Sequence, residues 1–250
     1  MSGAERVVLV LGGAGVVGSG AVRALLERGF RVAVISRDEA RLGKLAEDVP
    51  ESSKPRLVSL VGNVGSERGA EKARTALLAA APVITDIVSC LGFSWWQGGP
   101  LLDQDLAELQ RVFQNLLFST FTAWKVFFPL VRANPSGSYT FVTGGAGDRL
   151  LTAGTGFLTV GAASALAFSK VVREEYSDAA CAINEVKINM GVVPPDRVCP
   201  GYVDHRAMGH ALAAVVATHG GTGRFVCISS TEDVEAVQAT GGATATAGST

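Results

Sequence analysis

The sequence predicts a single α/β domain, a doubly wound parallel sheet of about seven strands flanked by helices. Three observations carry that expectation. Val7 to Leu11 is a continuous apolar run, followed at once by a glycine cluster and a helical repeat. From there to Ile228, short apolar runs alternate with stretches of helical spacing. The 250 residues are 48% hydrophobic and only 18% charged, which supplies enough apolar side chain for a sheet buried on both faces.

The first unit sets the rest. Val7 to Leu11 reads as a buried parallel strand. Val16 to Arg28 has helical spacing, with Val17, Ala21, Ala24 and Leu25 on one side, and Arg31 to Ile35 is a second strand. Strand, glycine turn, helix and strand within about thirty residues make a Rossmann-type dinucleotide-binding unit. Two glycine patterns overlap in the turn, Gly13-x-Gly15-x-x-Gly18 and Gly12-x-x-Gly15-x-x-Gly18. A pyrophosphate must rest on backbone amides at a helix N-terminus, where the dipole favours negative charge, and a Cβ on the turn would hold it away. Gly12, Ala14, Gly15, Val16, Val17 and Gly18 are therefore expected at the cofactor. The competing reading is a tight strand-to-helix turn with no ligand.

The end of the second strand chooses the cofactor. An NAD site puts an acidic residue there to accept from the ribose hydroxyls. This chain has Ser36-Arg37. A guanidinium can pair with a 2′-phosphate and stack on adenine, and the serine can donate to the same phosphate, so NADP(H) is favoured over NAD. Asp38 reads as the cap of a helix starting at Glu39, with Arg41 and Lys44 on its wet face.

The remaining elements follow in order. A helix over Asp38 to Asp48 leads through a loop at Pro50 to Pro55 into a third strand, Arg56 to Val61. Ser66 to Ala80 is a helix and Val83 to Ser89 a fourth strand, followed by a loop over Phe93 to Leu102. One long helix is expected from Asp105 to Arg132, then a fifth strand, Ser138 to Val142. Leu158 to Tyr176 is a helix rich in small residues, and Ile183 to Ile188 a sixth strand. His205 to Thr218 is a helix and Arg224 to Ile228 the seventh strand. The domain is expected to span residues 1–230. Residues 231–250, ending in Gly, Ala, Thr and Ser, read as a flexible tail.

Composition narrows the partners. A net charge of −1 and the lack of a basic stripe argue against nucleic acid. No run is apolar enough to span a bilayer; Phe118 to Val131 is interrupted by Lys125 and Pro129. The first strand begins so early that no signal peptide is expected, and the four cysteines lack metal-ligand spacing, so a cytoplasmic protein with free thiols is expected. The three histidines have no partner at metal spacing, and no metal is expected.

The order and spacing of these pieces resemble the short-chain dehydrogenase/reductase family over roughly residues 5 to 230. The resemblance implies that Asn63 and Val64 meet the adenine, that Cys90-Leu91-Gly92 stands for the family's Asn-Ala-Gly segment, and that Gly191 and Val193 lie at the nicotinamide. It places the family's helix asparagine on Asn115, as a catalytic residue that organises a water, against a plain buried asparagine. It also implies a homodimer or homotetramer formed through the small-residue helix and the long helix before it.

The resemblance departs at the proton relay. Gly144 stands where the family has its serine, Val160 where it has tyrosine and Ser164 where it has lysine. No tyrosine occurs between Tyr139 and Tyr176. Ketone reduction develops alkoxide charge and needs a donor, which valine cannot supply. A cationic iminium or a conjugated acceptor protonated by water has no such need. Thr143 is a candidate to replace the serine, or else satisfies local backbone. Asp148 is a candidate to stabilise a cationic substrate, or else pairs with Arg149 in solvent. Phe93, Trp95, Trp96, Arg149 and Phe157 are expected around a small, apolar or aromatic substrate. The sequence thus points to an NADP(H)-dependent oxidoreductase in specialised biosynthesis, one that can couple reduction to cyclisation. The alternatives are an inactive nucleotide-binding sensor or partner subunit, and a non-redox enzyme using the same pocket.

Overall fold

A computed structural model describes residues 6–92, 97–218 and 223–240. The elements run β1 (Val7–Leu11), α1 (Val16–Glu27), β2 (Arg31–Ser36), α2 (Glu39–Asp48), β3 (Leu57–Val61), α3 (Glu67–Ala80) and β4 (Asp86–Ser89). They continue with α4 (Leu106–Phe113), α5 (Ser119–Phe127), β5 (Ser138–Gly144), α6 (Gly156–Glu175), β6 (Ala182–Ile188), β7 (Gly191–Val193) and β8 (Tyr202–Asp204). The last are α7 (His205–Ala217), β9 (Phe225–Ile228) and α8 (Thr231–Thr240).

Seven strands form one sheet in the order β3-β2-β1-β4-β5-β6-β9, and each neighbouring pair is parallel. The chain winds outward from β1 to β3, then returns to the other side of β1 at β4. The carboxyl ends of β1 and β4 therefore flank the point where winding reverses, and a crevice opens there.

The continuous apolar strands bury both faces, as their sequence requires. Leu9, Leu11, Ile87, Tyr139 and Phe141 pack under α3, α5 and α6. Val8, Val10, Val32, Val34 and Val88 pack under α1, α2 and α7. The opposite edge of the sheet is closed by charge. Asp86, fully buried, takes two hydrogen bonds from Arg6 (2.7 and 3.0 Å), one from Thr85 (2.8 Å) and one from Ser138 (2.8 Å).

Two expectations are corrected. The helix expected from Asp105 to Arg132 is broken by a π turn over Gln114–Phe118, and ends in a 3-10 turn at Phe128–Leu130. The side chains of Asn115, Ser119 and Thr120 donate to the carbonyls of Arg111 (2.8 Å), Asn115 (2.6 Å) and Leu116 (2.6 Å), four residues back. That competition for helix carbonyls widens the turn, and Pro129, lacking an N–H, ends the helix. Residues 231–240, expected to be part of a flexible tail, form α8. Ser230 and Asp233 cap each other reciprocally there (3.1 and 3.2 Å), and Val234 and Val237 bury against α7. Residues 241–250 lie outside the described residues.

Helices α1 and α7 meet backbone to backbone. A Cβ on Gly20 would lie 1.9 Å from the His205 carbonyl oxygen, and one on Gly209 would lie 2.1 Å from that of Gly20. Gly20→Ala is therefore expected to lower unfolding free energy by about 1–3 kcal/mol. Gly43, in α2 with open space around it, is the control: Gly43→Ala should raise stability by about 0.5–1 kcal/mol. Urea unfolding of the two variants checks both signs.

Candidate active site

The crevice is a cleft of about 490 Å³ along the carboxyl ends of the strands. Its floor is the glycine turn, represented by Gly12, Ala14 and Gly15. One end is built by Ser36, Arg37, Asp38 and Arg41 after β2, with Asn63 and Val64 after β3. The other wall comes from Cys90, Leu91 and Gly92 after β4, and from Arg111, Gln114 and Asn115 on the helix that crosses above. The segments around Gly12, Ser36, Asn63 and Cys90, far apart in sequence and read as cofactor contacts, thus share one cleft with Asn115, read as catalytic.

The glycines of the turn have different tasks. Gly12 has φ +74°, and a Cβ there would sit 2.5 Å from the Cys90 carbonyl oxygen. A Cβ on Gly18 would meet the Gly12 carbonyl oxygen at 2.3 Å. Those two are demanded by the protein's own packing. A Cβ on Gly15 would meet only the Gly12 carbonyl oxygen, at 3.2 Å, so this position keeps the turn bare on the cleft side. Gly15 also begins α1 with no side-chain cap and no acidic residue in the first turn. The first amides of α1 are left for another acceptor, the arrangement an anion uses. Val16, Val17 and Gly18 form that turn but do not line the cleft; Val17 packs into the core.

At the β2 end, Ser36 Oγ accepts from the Asp38 amide at 3.2 Å, and Asp38 caps α2 by accepting from the Arg41 amide at 3.1 Å. Arg41, expected only on a wet face, lines the cleft as well. Gln114 donates to the Gly65 carbonyl at 2.7 Å and ties the crossing helix to the adenine-side loop. A hydrogen bond from Arg111 to Glu108 pushes the guanidinium's pKa up. Sequence reasoning passed over Arg111 and Gln114, although Arg111 stands one turn before Asn115 and Gln114 three residues after Arg111.

The sequence profile described as "short chain dehydrogenase" matches residues 6–215. The chain belongs to the short-chain dehydrogenase family. The fold is similar to that of the alcohol dehydrogenase from the archaeon Thermococcus sibiricus, solved with 5-hydroxy-NADP: TM-score 0.78, 16% identity, over 90% of this chain and 96% of that one. A short chain dehydrogenase from Mycobacterium smegmatis matches with TM-score 0.75 and 21% identity, over 90% of this chain and 92% of its own. ElxO, solved with NADP bound, matches with TM-score 0.77 and 13% identity, over 90% and 97%. No curated protein matches the chain in sequence.

The resemblance drawn from the sequence puts the reacting end beyond β5 and at the start of α6. Gly144 ends β5, with open space where a side chain would be. Val160 is 43% exposed on α6. Ser164 Oγ donates to the Gly161 carbonyl at 2.6 Å, and Thr159 Oγ1 donates to the carbonyls of Thr155 and Arg149. Both hydroxyls of this stretch are thus bound to backbone.

Several candidates are engaged elsewhere. Thr143 neither reaches for a ligand nor satisfies backbone: its Oγ1 donates to Glu185 Oε1 at 2.9 Å. Glu185 is buried and paired with Arg173 at 2.9 Å. Asp148 pairs with Lys187 of β6 at 2.9 Å, not with Arg149, and this hydrogen bond pushes the Lys187 pKa up. Alternation along β6 was the missed signal, since Glu185, Lys187 and Asn189 are polar at every second position of an apolar strand. Phe157, expected to face a substrate, is buried against Val112 and Leu116. Gly191 lies under the Tyr202 ring, and neither it nor Val193 lines the cleft. Phe93, Trp95 and Trp96 lie outside the described residues. Among the described residues no cluster could hold a metal, and no helix is long and apolar enough to cross a membrane.

Burial pushes the Cys90 thiol up to about 12. At pH 8 only about one molecule in ten thousand then carries the thiolate. Iodoacetamide at that pH is expected to modify exposed Cys199 and leave Cys90 unreacted, as read by peptide mass spectrometry.

Proposed function

We propose that this chain is an NADP(H)-dependent oxidoreductase that works without a tyrosine–lysine proton relay. The observation that carries the reading is the cleft itself, which gathers a bare glycine turn, an uncapped helix N-terminus, and Ser36-Arg37 on one edge of the sheet. NADPH bound there would supply a hydride. Gly15 and the first turn of α1 would hold its pyrophosphate, Asn63 and Val64 its adenine, and Arg37 its 2′-phosphate. Arg37 makes no hydrogen bond or ion pair among the described residues, so its charge is available to a ligand. Two of the structural relatives carry NADP-type cofactors.

The rest concerns the substrate. Between the loop after β4 and the loop after β5 lies a second cavity of about 480 Å³, lined by Leu101, Leu150, Pro100, Ala153 and glycines. Among the described residues its one polar side chain is Gln97, which accepts from the Phe157 amide (2.8 Å) and donates to the Gly99 carbonyl (3.2 Å). Such a wall accepts an apolar, uncharged group. Asp148 is already neutralised by Lys187, which favours a neutral conjugated acceptor over an iminium. In that reading water supplies the proton, and Asn115, at the π turn, positions it.

The bound hydroxyls of α6 also support a second reading, a protein that binds NADP(H) without turnover. Stereospecifically deuterated NADPH offered with α,β-unsaturated aldehydes separates the two, since only an oxidoreductase transfers the label. A cytoplasmic homodimer or homotetramer remains the expected form, supported by free cysteines and by Phe118, Phe121, Val160 and Val171 exposed on α5, α6 and the π turn. In calorimetric titrations, Arg37→Ala is expected to weaken NADPH about 10- to 100-fold and to change NADH less than about twofold. Equal losses for both nucleotides would contradict the assignment of Arg37.

A further inference from the structure

Two ordered loops at the second cavity, beside the start of α6, turn leucines towards solvent. We propose that this cavity binds the hydrocarbon tail of a straight-chain, uncharged substrate. The proposal rests on the oxidoreductase reading above for what happens at the other end of that molecule.

Both loops are fixed by their own hydrogen bonds. The Gln97 backbone amide donates to the Gly154 carbonyl at 2.8 Å, and the Gln97 side chain accepts from the Phe157 amide, so the loop after β4 is tied to the far side of the cavity twice. Thr155 is buried; its Oγ1 donates to the Thr152 carbonyl at 2.7 Å and accepts from the Thr152 amide at 3.3 Å. Leu101–Asp103 is a 3-10 turn, in which the Pro100 carbonyl accepts from the Asp103 amide at 3.2 Å and from Gln104 Nε2 at 3.3 Å. These polar groups are spent inside the loops, and the leucines are left outside. Leu101 and Leu150 line the cavity and are half or more exposed. Their neighbours in the chain, Leu102 and Leu151, are 95% and 55% exposed. Ordered apolar surface left in water around a cavity marks a site for an apolar group.

Shape and charge select the ligand. Gly98 and Gly154 have φ +80° and +85°, so the wall passes them without side chains. At Gly156, the first residue of α6, a Cβ would meet Leu101 Cδ2 at 2.7 Å, so that leucine rests directly on the helix backbone. The volume of about 480 Å³ has room for roughly ten to fifteen methylene-sized groups, more than a single ring needs. The nearest charges along the chain are Asp103 and Asp105 beside the 3-10 turn, both exposed, against Arg149 beside Leu150. Two carboxylates against one arginine disfavour a carboxylate head or an anionic bilayer. An uncharged chain meets no such repulsion.

The test is calorimetric titration of the full chain with 1-hexanol, 1-octanol and 1-decanol, which carry the tail without a reactive group. Each added methylene is expected to tighten binding about two- to fourfold. Leu150→Asp, at an exposed position, is expected to flatten the series. Val83→Asp, equally exposed but ahead of β4 at the amino end of the sheet, is expected to leave it as in the wild type. A kinetic arm offers straight-chain 2-alkenals of increasing length with NADPH, and kcat/KM is expected to rise with length in the wild type and not in Leu150→Asp. Alkanol affinity that does not change with chain length would overturn the proposal. So would benzyl alcohol binding as tightly as 1-decanol, which would mean a site for a compact ring. Cosedimentation with phosphatidylcholine vesicles that is lost in Leu102→Asp would make the leucines a membrane contact and overturn it too. If the alkanol series holds and no alkenal is reduced, the tail site stands and the oxidoreductase reading falls. Alkenal reduction with no dependence on chain length does the reverse.

Discussion

The cleft exists because two pieces of backbone touch. The turn after β1 bends back until Gly12 rests on the carbonyl of Cys90, and α1 starts so close to that turn that Gly18 rests on the carbonyl of Gly12. No side chain fits at either contact. The contacts fix how far apart β1 and β4 end and the direction in which α1 departs. Once these are set, α1 begins beside the crevice with no side-chain cap, and Gly15 leaves the turn open. The remaining cleft residues sit at the ends of strands whose parallel register holds them level with the turn. A change at Gly12 or Gly18 would therefore disturb the whole carboxyl edge of the sheet, not one contact.

The two ends of the sheet are treated differently. At the amino edge, Arg6, Thr85 and Ser138 satisfy buried Asp86, and Arg6 also reaches the Val216 carbonyl of α7 at 2.7 Å. That edge is closed and neutral. Inside the sheet, Glu185 is held by Arg173 and Thr143, so polar groups on β5 and β6 are satisfied within the protein. The carboxyl edge is where donors remain. Arg37, the Nη groups of Arg41 and the first turn of α1 are all positive in sense, which matches an anion in the crevice and not a cation.

Much of this was legible in the sequence, and the exceptions have physical causes. Continuous apolar runs such as Val7–Leu11 betray buried parallel strands, and the glycine turn locates the crevice. Asn63, Cys90 and Asn115 could be placed only by likeness to a family, yet all three line the cleft. Side-chain pairing between strands was not legible. Thr143 and Glu185 are 42 residues apart in sequence and meet only because β5 and β6 are paired. Phe157 looked like a ligand contact because it opens a helix at the site, but Gly161, one turn on, brings Val112 and Leu116 down onto it. The capping pair Ser230–Asp233 was not read from the sequence, where the low-complexity residues that follow dominated.

Cofactor binding and proton delivery are separable tasks, and the proposed function rests on separating them. General acid catalysis contributes about a hundred- to ten-thousandfold to a rate when a developing charge must be quenched. A site built for simple ketones that lost its donor would forfeit that factor and still have to desolvate the substrate. Among the described residues the cavity beside α6 is lined by leucines, proline, alanine and glycines, with the Gln97 amide already hydrogen-bonded. An apolar wall next to a hydride donor helps most when charge is spread along a conjugated chain and reaches water before it is protonated. The same wall hinders reactions that localise charge on one oxygen. The apolar lining of the second cavity supports the proposed conjugated substrate, whereas the bound hydroxyls of α6 are shared by that reading and by binding without turnover. Asp148, just past β5, does not restore the balance, because Lys187 already holds it.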